Sequence, residues 1–379
     1  MADSVNYDLA IIGGGLAGLT LAIQCAQAGD RVVLFEKKQY PFHKVCGEYI
    51  SNESKPFLER LGLSVTELNL PSISTLQVSS VNGQRYTFPL PKGGFGISRY
   101  ELDHRLYQLA LQKGVVVYTG TKVQDVQFQN DQFVISTPLG EFVSRLAVGS
   151  YGKRSNLDSK WNRSFLQRNG NASTNYIGVK YHIKFPHPEP VIALHNFPDG
   201  YCGISRIEDG KSCLCYLTTA ANLNKHQNDI GQMERESLCC NPYLKELFSN
   251  AQFLYKQPLV IAQVSFQPKT QVENHMLMVG DSAGLITPLC GNGMSMAMHS
   301  GLIAFQHVQA FLRSQSTRQQ MEQRYARQWQ RSFSTRLMTG RIVQRFTGSG
   351  RSTDLFLNTM NQFPALAQAV IRSTSSNFF

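Results

Sequence analysis

A chain of 379 residues, 42% hydrophobic, 17% charged and 10% aromatic, can bury one large core or two modest ones, which excludes a disordered chain. Its formal charge of +11 points to an anionic partner: nucleic acid, anionic lipid or an anionic small molecule. No apolar run approaches the roughly 18–20 residues that span a bilayer, and acidic Asp3 leads directly into a strand, so a cytoplasmic protein without a signal peptide is expected.

The opening reads strand, glycine turn, helix, strand. Tyr7 to Ile12 is a short apolar run, Leu16 to Ala28 has helical periodicity, and Arg31 to Phe35 is rich in β-branched and aromatic residues. A polar, proline-containing loop follows from Lys37 to Lys44, then a helix from about Ser51 to Leu61 ending at Gly62. Residues 73–90 alternate as strands do, 96–112 read as a loop entering a helix, and 114–136 as strands. Short strands over 176–220, broken by Pro186, Pro188, Pro190 and Pro198, form a separate sheet. Leu259 to Phe266 reads as the strand that returns the chain to the first domain. Met276–Val279 is a further strand, and the rest is mainly helical.

Residues 13–36 carry one long pattern: Gly13, Gly15, Gly18, Ala22, Gly29, Val32 and Glu36. Gly13 permits the tight strand-to-helix turn, Gly15 lets the backbone approach a pyrophosphate, and Gly18 lets helix pack on strand. The helix N-terminus offers free N–H groups and a positive dipole end to phosphates. Glu36 ends the second strand, where its carboxylate accepts from ribose hydroxyls. This pattern predicts a dinucleotide without separating FAD from NAD.

The second motif separates them. From Val279 the chain reads Val-Gly-Asp-Ser-Ala-Gly-Leu-Ile-Thr-Pro-Leu-Cys-Gly-Asn-Gly-Met and enters a long helix. Asp281 can accept from ribityl hydroxyls, and the Gly291–Gly293 loop can bring N–H groups to a flavin's pyrimidine edge, where the helix dipole favours the reduced anion. The prediction is non-covalent FAD. The fold class expected is α/β: a Rossmann-type, glutathione-reductase-like FAD domain (1–72, 96–175 and 267–320) interleaved with a mainly antiparallel substrate sheet (73–95 and 176–266). C-terminal helices follow over 321–379.

With these motifs, Gly-Ile-Ser-Arg at 96–99, Asp103, Pro41 and Cys46-Gly47-Glu48, the chain resembles the para-hydroxybenzoate hydroxylase superfamily over roughly residues 5–310, and within it the geranylgeranyl reductase family. The resemblance implies that Arg99 lies against the FAD phosphates, as its planar fork suits, and that Cys46, Gly47 and Glu48 stand at the active site. Leu16, Ala17, Lys37, Val123, Pro288 and Met294 complete the expected cofactor contacts. The aromatic hydroxylases carry an Asp-Gly pair where this chain has Tyr151-Gly152, the reductases' substrate-cavity tryptophan is missing, and the halogenases' lysine and tryptophan signature is not found. No second glycine fingerprint exists, so NADPH or NADH is expected to dock transiently as electron donor.

Two flavin chemistries are implied: reduction of a prenyl double bond in a lipophilic substrate, with a nearby acid or the Cys46 thiol supplying the proton, or, as the alternative, NAD(P)H-dependent hydroxylation or epoxidation of an aromatic or lipid-like substrate. The first is preferred. A non-catalytic flavin-bound interaction protein is the reading from another class. The eight cysteines show no zinc-ligand spacing, so no metal is expected. Nine arginines lie between Arg313 and Arg351 with Glu322 the only acid. Arg324, Arg327 and Arg331 share one helical face beside a Tyr325–Trp329–Phe333 stripe, which fits a peripheral contact with anionic membrane. No nucleic-acid module is visible, so nucleic acid is not an expected partner.

Overall fold

In the computed structural model, described over residues 6–167, 175–285, 287, 291–346, 348, 350–374 and 378–379, two sheets share the chain. The first has eight strands, and its spine runs 272–273, 276–278, 140–149, 6–12, 32–35, 116–118. Asn6–Ile12 pairs in parallel with both Val32–Phe35 and Gly140–Gly149. Being covered on both faces, these central strands are near-continuous apolar runs. Leu9, Ala10, Ile11, Val33 and Leu34 are all fully buried.

Helix Leu16–Gln27 crosses back over this sheet and lies against helix Gly293–Leu312. The approach is close because Gly301 has no side chain: a Cβ there would meet the Ala17 carbonyl oxygen at 2.9 Å. The two predicted cofactor motifs, far apart in sequence, therefore begin two helices that pack side by side.

The second sheet has nine strands, with spine order 252–253, 176–184, 212–219, 200–206, 191–197, 72–79, 85–96, 49–51. All its pairs are antiparallel except 72–79 with 191–197. Strand alternation divides its side chains. From Ser212–Thr219, Leu214 and Tyr216 join a core with Met233, Leu238, Leu244 and Leu247, while Cys215 and Leu217 line the cavity on the other face.

Two sequence expectations are corrected. Leu259–Val264 pairs with Tyr176–Lys184, so it belongs to the second sheet rather than returning the chain to the first. The helix expected from Ser51 begins at Lys55: Tyr49–Ser51 is a strand held by Gly94–Gly96, and Asn52–Ser54 is a single 3-10 turn. The helix does end at Gly62, with φ of 104°.

Helix Arg318–Gln344 opens with a Thr317–Gln320 capping box. Its Met321, Tyr325, Trp329 and Phe333 are buried in the main core, and Arg324, Arg327 and Arg331 are exposed. Helices Gly350–Gln362 and Pro364–Thr374 then cover part of the second sheet. Among the described residues no helix is long and apolar enough to cross a membrane.

Candidate active site

A cavity of about 850 Å³ runs between the two sheets. Gly13, Gly15, Leu16, Ala17, Glu36, Lys37, Arg99, Val123, Asp281, Gly291, Gly293 and Met294 all line it, as do Cys46, Gly47 and Glu48. Gly18 does not. A Cβ on Gly18 would strike the Ser150 hydroxyl at 2.6 Å, so its service is to packing. Pro288 lies outside the described residues.

The glycine turn fits a phosphate group. Gly13 has φ of 109°, and a Cβ there would lie 2.5 Å from the Ser150 carbonyl oxygen. A Cβ on Gly15 would instead look into the cavity, 3.7 Å from Lys44 Nζ and 3.9 Å from Arg99 Nη2. Helix Leu16–Gln27 has no side-chain cap, which leaves its first N–H groups directed at that space. Glu36 is fixed by accepting from the Gly14 N–H at 2.9 Å and the Lys38 N–H at 3.0 Å.

Arg99 makes a two-point pair with Asp103 at 2.7 Å for each bond, and Lys44 Nζ donates to Asp103 at 2.8 Å. Burial opposes the Arg99 charge, but the Asp103 carboxylate drives its pKa up. Around Asp281 stand two amines whose pKa burial lowers to about 8, Lys153 and Lys269. Burial raises the Asp281 carboxyl, against the pull of Lys269, Arg99 and Lys153. Lys269 donates to the Lys153 and Asp281 carbonyls at 2.7 and 2.8 Å, whereas Lys153 Nζ, buried and on the cavity wall, has no hydrogen-bond partner among the described residues. Tyr151, in the place of the hydroxylases' acid, donates to Asp158 at 2.8 Å and so ties this loop to the buried Asp158–Arg163 pair.

At the far end of the cavity, Glu48 is fully buried, with φ of 56°. One carboxylate oxygen accepts from Lys180 Nζ and from the Arg99 backbone N–H at 2.7 Å, and the other lies 2.6 Å from His182 Nε2. His182 Nδ1 meets the Tyr255 hydroxyl at 2.6 Å, and that hydroxyl reaches His43 at 3.1 Å. Burial raises the Glu48 carboxyl, but Lys180 and His182 outweigh it and hold it below its ordinary value. Burial likewise opposes the Lys180 charge, and Glu48 overcomes it. His43 is brought down to about 4 by burial and by the Lys180 charge, so it is neutral at pH 7. Burial raises the Cys46 thiol, which keeps its proton.

The expected Cys46–Glu48 turn thus lies on the cavity, but Glu48 is one half of an ion pair rather than a proton donor. Lys180, His182 and Tyr255 were missed from sequence. The one usable signal was Lys-x-His on a strand, which places both side chains on one face. Glu48, His182 and Cys213 also present ligand-type atoms within 4.8 Å of one another, but the Lys180 ammonium takes the position on Glu48 that a cation would need. His43 is half-buried against Tyr255 and Tyr100.

Comparison with known proteins agrees with this geometry. The FAD binding domain family matches residues 8–44. Conditioned medium factor receptor 1 of Dictyostelium discoideum is 24% identical over 359 residues, covering 87% of this chain and 69% of that one. Menaquinone reductase of Mycobacterium tuberculosis is 23% identical over 327 residues, covering 80% and 77%. Among solved structures, a flavin-dependent brominase aligns with a TM-score of 0.78 at 20% identity, over 98% of this chain and 93% of that one. A geranylgeranyl bacteriochlorophyll reductase-like protein of Thermoplasma acidophilum aligns with a TM-score of 0.80 at 16% identity, over 98% and 96%. The chain has the two-domain fold shared by halogenases and monooxygenases, and its residues 8–44 match an FAD-binding domain. The expected closeness to the geranylgeranyl reductases is not favoured over the halogenases.

Proposed function

We propose that the protein is a flavin monooxygenase that hydroxylates or epoxidises an apolar, aromatic or lipid-like small molecule, with NADPH or NADH as the transient electron donor. The observation that carries this reading is the state of Glu48. Saturating an isolated alkene requires a proton for the second carbon, and the acid of the Cys46-Gly47-Glu48 turn is held as a carboxylate by Lys180 and His182. FAD supplies the two-electron chemistry when bound, and Gly15, Glu36, Arg99, Asp281 and the Gly291–Gly293 loop are the residues that would hold it. Leu194, Ile204, Leu217, Ile261 and Val264 line the rest of the cavity; this wall orients an apolar substrate and excludes water from it.

A second reading, reduction of a prenyl double bond, draws on one observation. Cys46 retains its thiol proton beside the cavity and is the donor left in the Cys46-Gly47-Glu48 turn. The two readings separate under labelled oxygen, with prenylated quinones and alkyl phenols as probe substrates. Incorporation of one atom from ¹⁸O₂ during NADPH oxidation, with no turnover of the reduced enzyme under nitrogen, is the expected result. Anaerobic saturation of the probe alkene, lost in Cys46→Ala, would replace the proposal with the reductase.

A further inference from the structure

The last two helices turn an apolar stripe inward and also expose a few apolar side chains outward. Inward, Phe356, Leu357 and Met360 of the first and Ala367, Val370 and Ile371 of the second line a separate cavity of about 530 Å³. Outward, Leu355 is 71% exposed, Phe363 at the corner between the helices 59%, and Leu366 43%. A surface helix of a water-soluble domain needs apolar residues on its inner stripe only, so these protruding side chains add to that pattern. Met338 and Ile342 extend the outer apolar surface along helix Arg318–Gln344, on which the last helix packs.

The charge of this segment is one-sided. From Arg313 to Phe379 there are ten arginines, no lysine and two acids, Glu322 and Asp354, so ten minus two gives +8 of the chain's +11. Arg324, Arg327, Arg331 and Arg345 are exposed along the same ridge as Met338 and Ile342. A guanidinium row alone would suit an acidic protein equally well. Protruding Phe363, Leu355 and Leu366 beside that row suit a bilayer, where aromatic and aliphatic side chains sink below the headgroups and arginines stay among the phosphates.

We propose that this ridge and the outer face of the last two helices dock on an anionic lipid bilayer, and that the cavity beneath them takes the hydrocarbon part of a membrane-dissolved substrate. Tyr49 and Leu194 line both this cavity and the one holding Cys46 and Asp281, so the two adjoin at these side chains and a chain lodged under the helices lies next to the site of chemistry. The inference rests on the oxidoreductase reading and narrows its substrate class to amphiphiles.

Co-sedimentation of the FAD-loaded protein with equimolar phosphatidylglycerol–phosphatidylcholine vesicles tests it without any turnover. Binding at low salt that weakens at high salt is expected. Each surface arginine contributes roughly five-fold, so the Arg331→Gln, Arg345→Gln pair should bind roughly 25-fold more weakly to these vesicles. The Phe363→Ser, Leu366→Ser pair should bind at least about ten-fold more weakly at both salt levels, with FAD content unchanged in both variants. Absence of vesicle binding by the parent at low salt overturns the proposal, as does an apolar pair that binds like the parent. Salt-sensitive binding to an acidic acyl carrier protein in place of vesicles would assign the arginine row to a protein partner instead. Because no catalysis is measured, these outcomes are independent of the oxygen-labelling result.

Discussion

Replacing Lys180 by methionine isolates the buried charge of Glu48. Both side chains are completely shielded from solvent, and breaking such a pair from one side costs about 3–5 kcal/mol because the remaining charge is stranded. In the parent, Glu48 titrates below its ordinary 4.5 and Lys180 above its ordinary 10.5. The Glu48 contribution is therefore fully present above pH 4.5 and is lost as pH falls through its folded pKa. The Lys180 contribution is fully present below pH 10.5 and is lost as pH rises through its own. Stability should be flat with respect to this pair across neutral pH. In Lys180→Met burial dominates at Glu48 and raises its pKa, so stability should be greatest in mild acid. It should then fall by up to ~1.4 kcal/mol per pH unit as pH rises from the ordinary 4.5 to the new value, and level off above it. Urea unfolding of FAD-saturated protein between pH 5 and 8, followed by tryptophan fluorescence, measures both quantities. The Glu48→Gln, Lys180→Met double variant should recover most of the loss. A single variant that loses under about 1 kcal/mol and shows no slope with pH would refute the assignment of a desolvated pair.

Two further outcomes concern the cofactor. Gly15→Leu places a side chain between the helix N-terminus and the Lys44–Arg99 cations without backbone strain, since Gly15 has φ of −86°. It should give folded, colourless protein with at least about 100-fold weaker FAD binding, in line with the loss of several charge-assisted contacts, and a yellow variant would place the nucleotide elsewhere. Lys153→Met removes the cavity-facing amine that has no partner within the described protein. One charged hydrogen bond to the cofactor is worth about 10- to 100-fold, so FAD release measured by flavin fluorescence should show a loss of that size, and an unchanged dissociation constant would exclude Lys153 as a cofactor ligand.

The nucleotide half of the site was legible because its residues are consecutive: Gly13, Gly15 and Glu36 sit on one strand–helix–strand unit whose hydrophobic pattern fixes their relative positions. Asp281, in the turn after strand Met276–Met278, and Gly293, at the start of helix Gly293–Leu312, were legible because they belong to one consecutive motif. The substrate half was not. Glu48 meets its partners 132 and 134 positions further along the chain, through a strand whose register no local pattern sets. Ser51-Asn52-Glu53 read as a helix start because Ser and Asn are good caps. Pairing of Tyr49–Ser51 with Gly94–Gly96 overrode that preference, and the helix waits for Lys55-Pro56. Gly18 fits the fingerprint and still leaves the cavity, since its missing Cβ makes room for Ser150 and the Gly13 carbonyl.

Arg99 joins the two halves. Its guanidinium, locked on Asp103, stands beside the space that Gly15 leaves open, while its backbone N–H donates to the same Glu48 oxygen that Lys180 holds. Glu48 sits in a left-handed conformation that a non-glycine residue adopts only when its surroundings impose it, and these bonds are what impose it. Because Glu48 follows Cys46-Gly47 directly, the same bonds set where the thiol and the turn face the cavity. The ion pair also cancels within itself, so it sets no net charge against the apolar wall from Leu194 to Val264, while Arg99, Lys44 and Lys153 line the cavity near Gly15 and Asp281. One continuous cavity can in this way offer a cationic end to a dinucleotide and an apolar end to its substrate, with a single buried residue keeping the two in register.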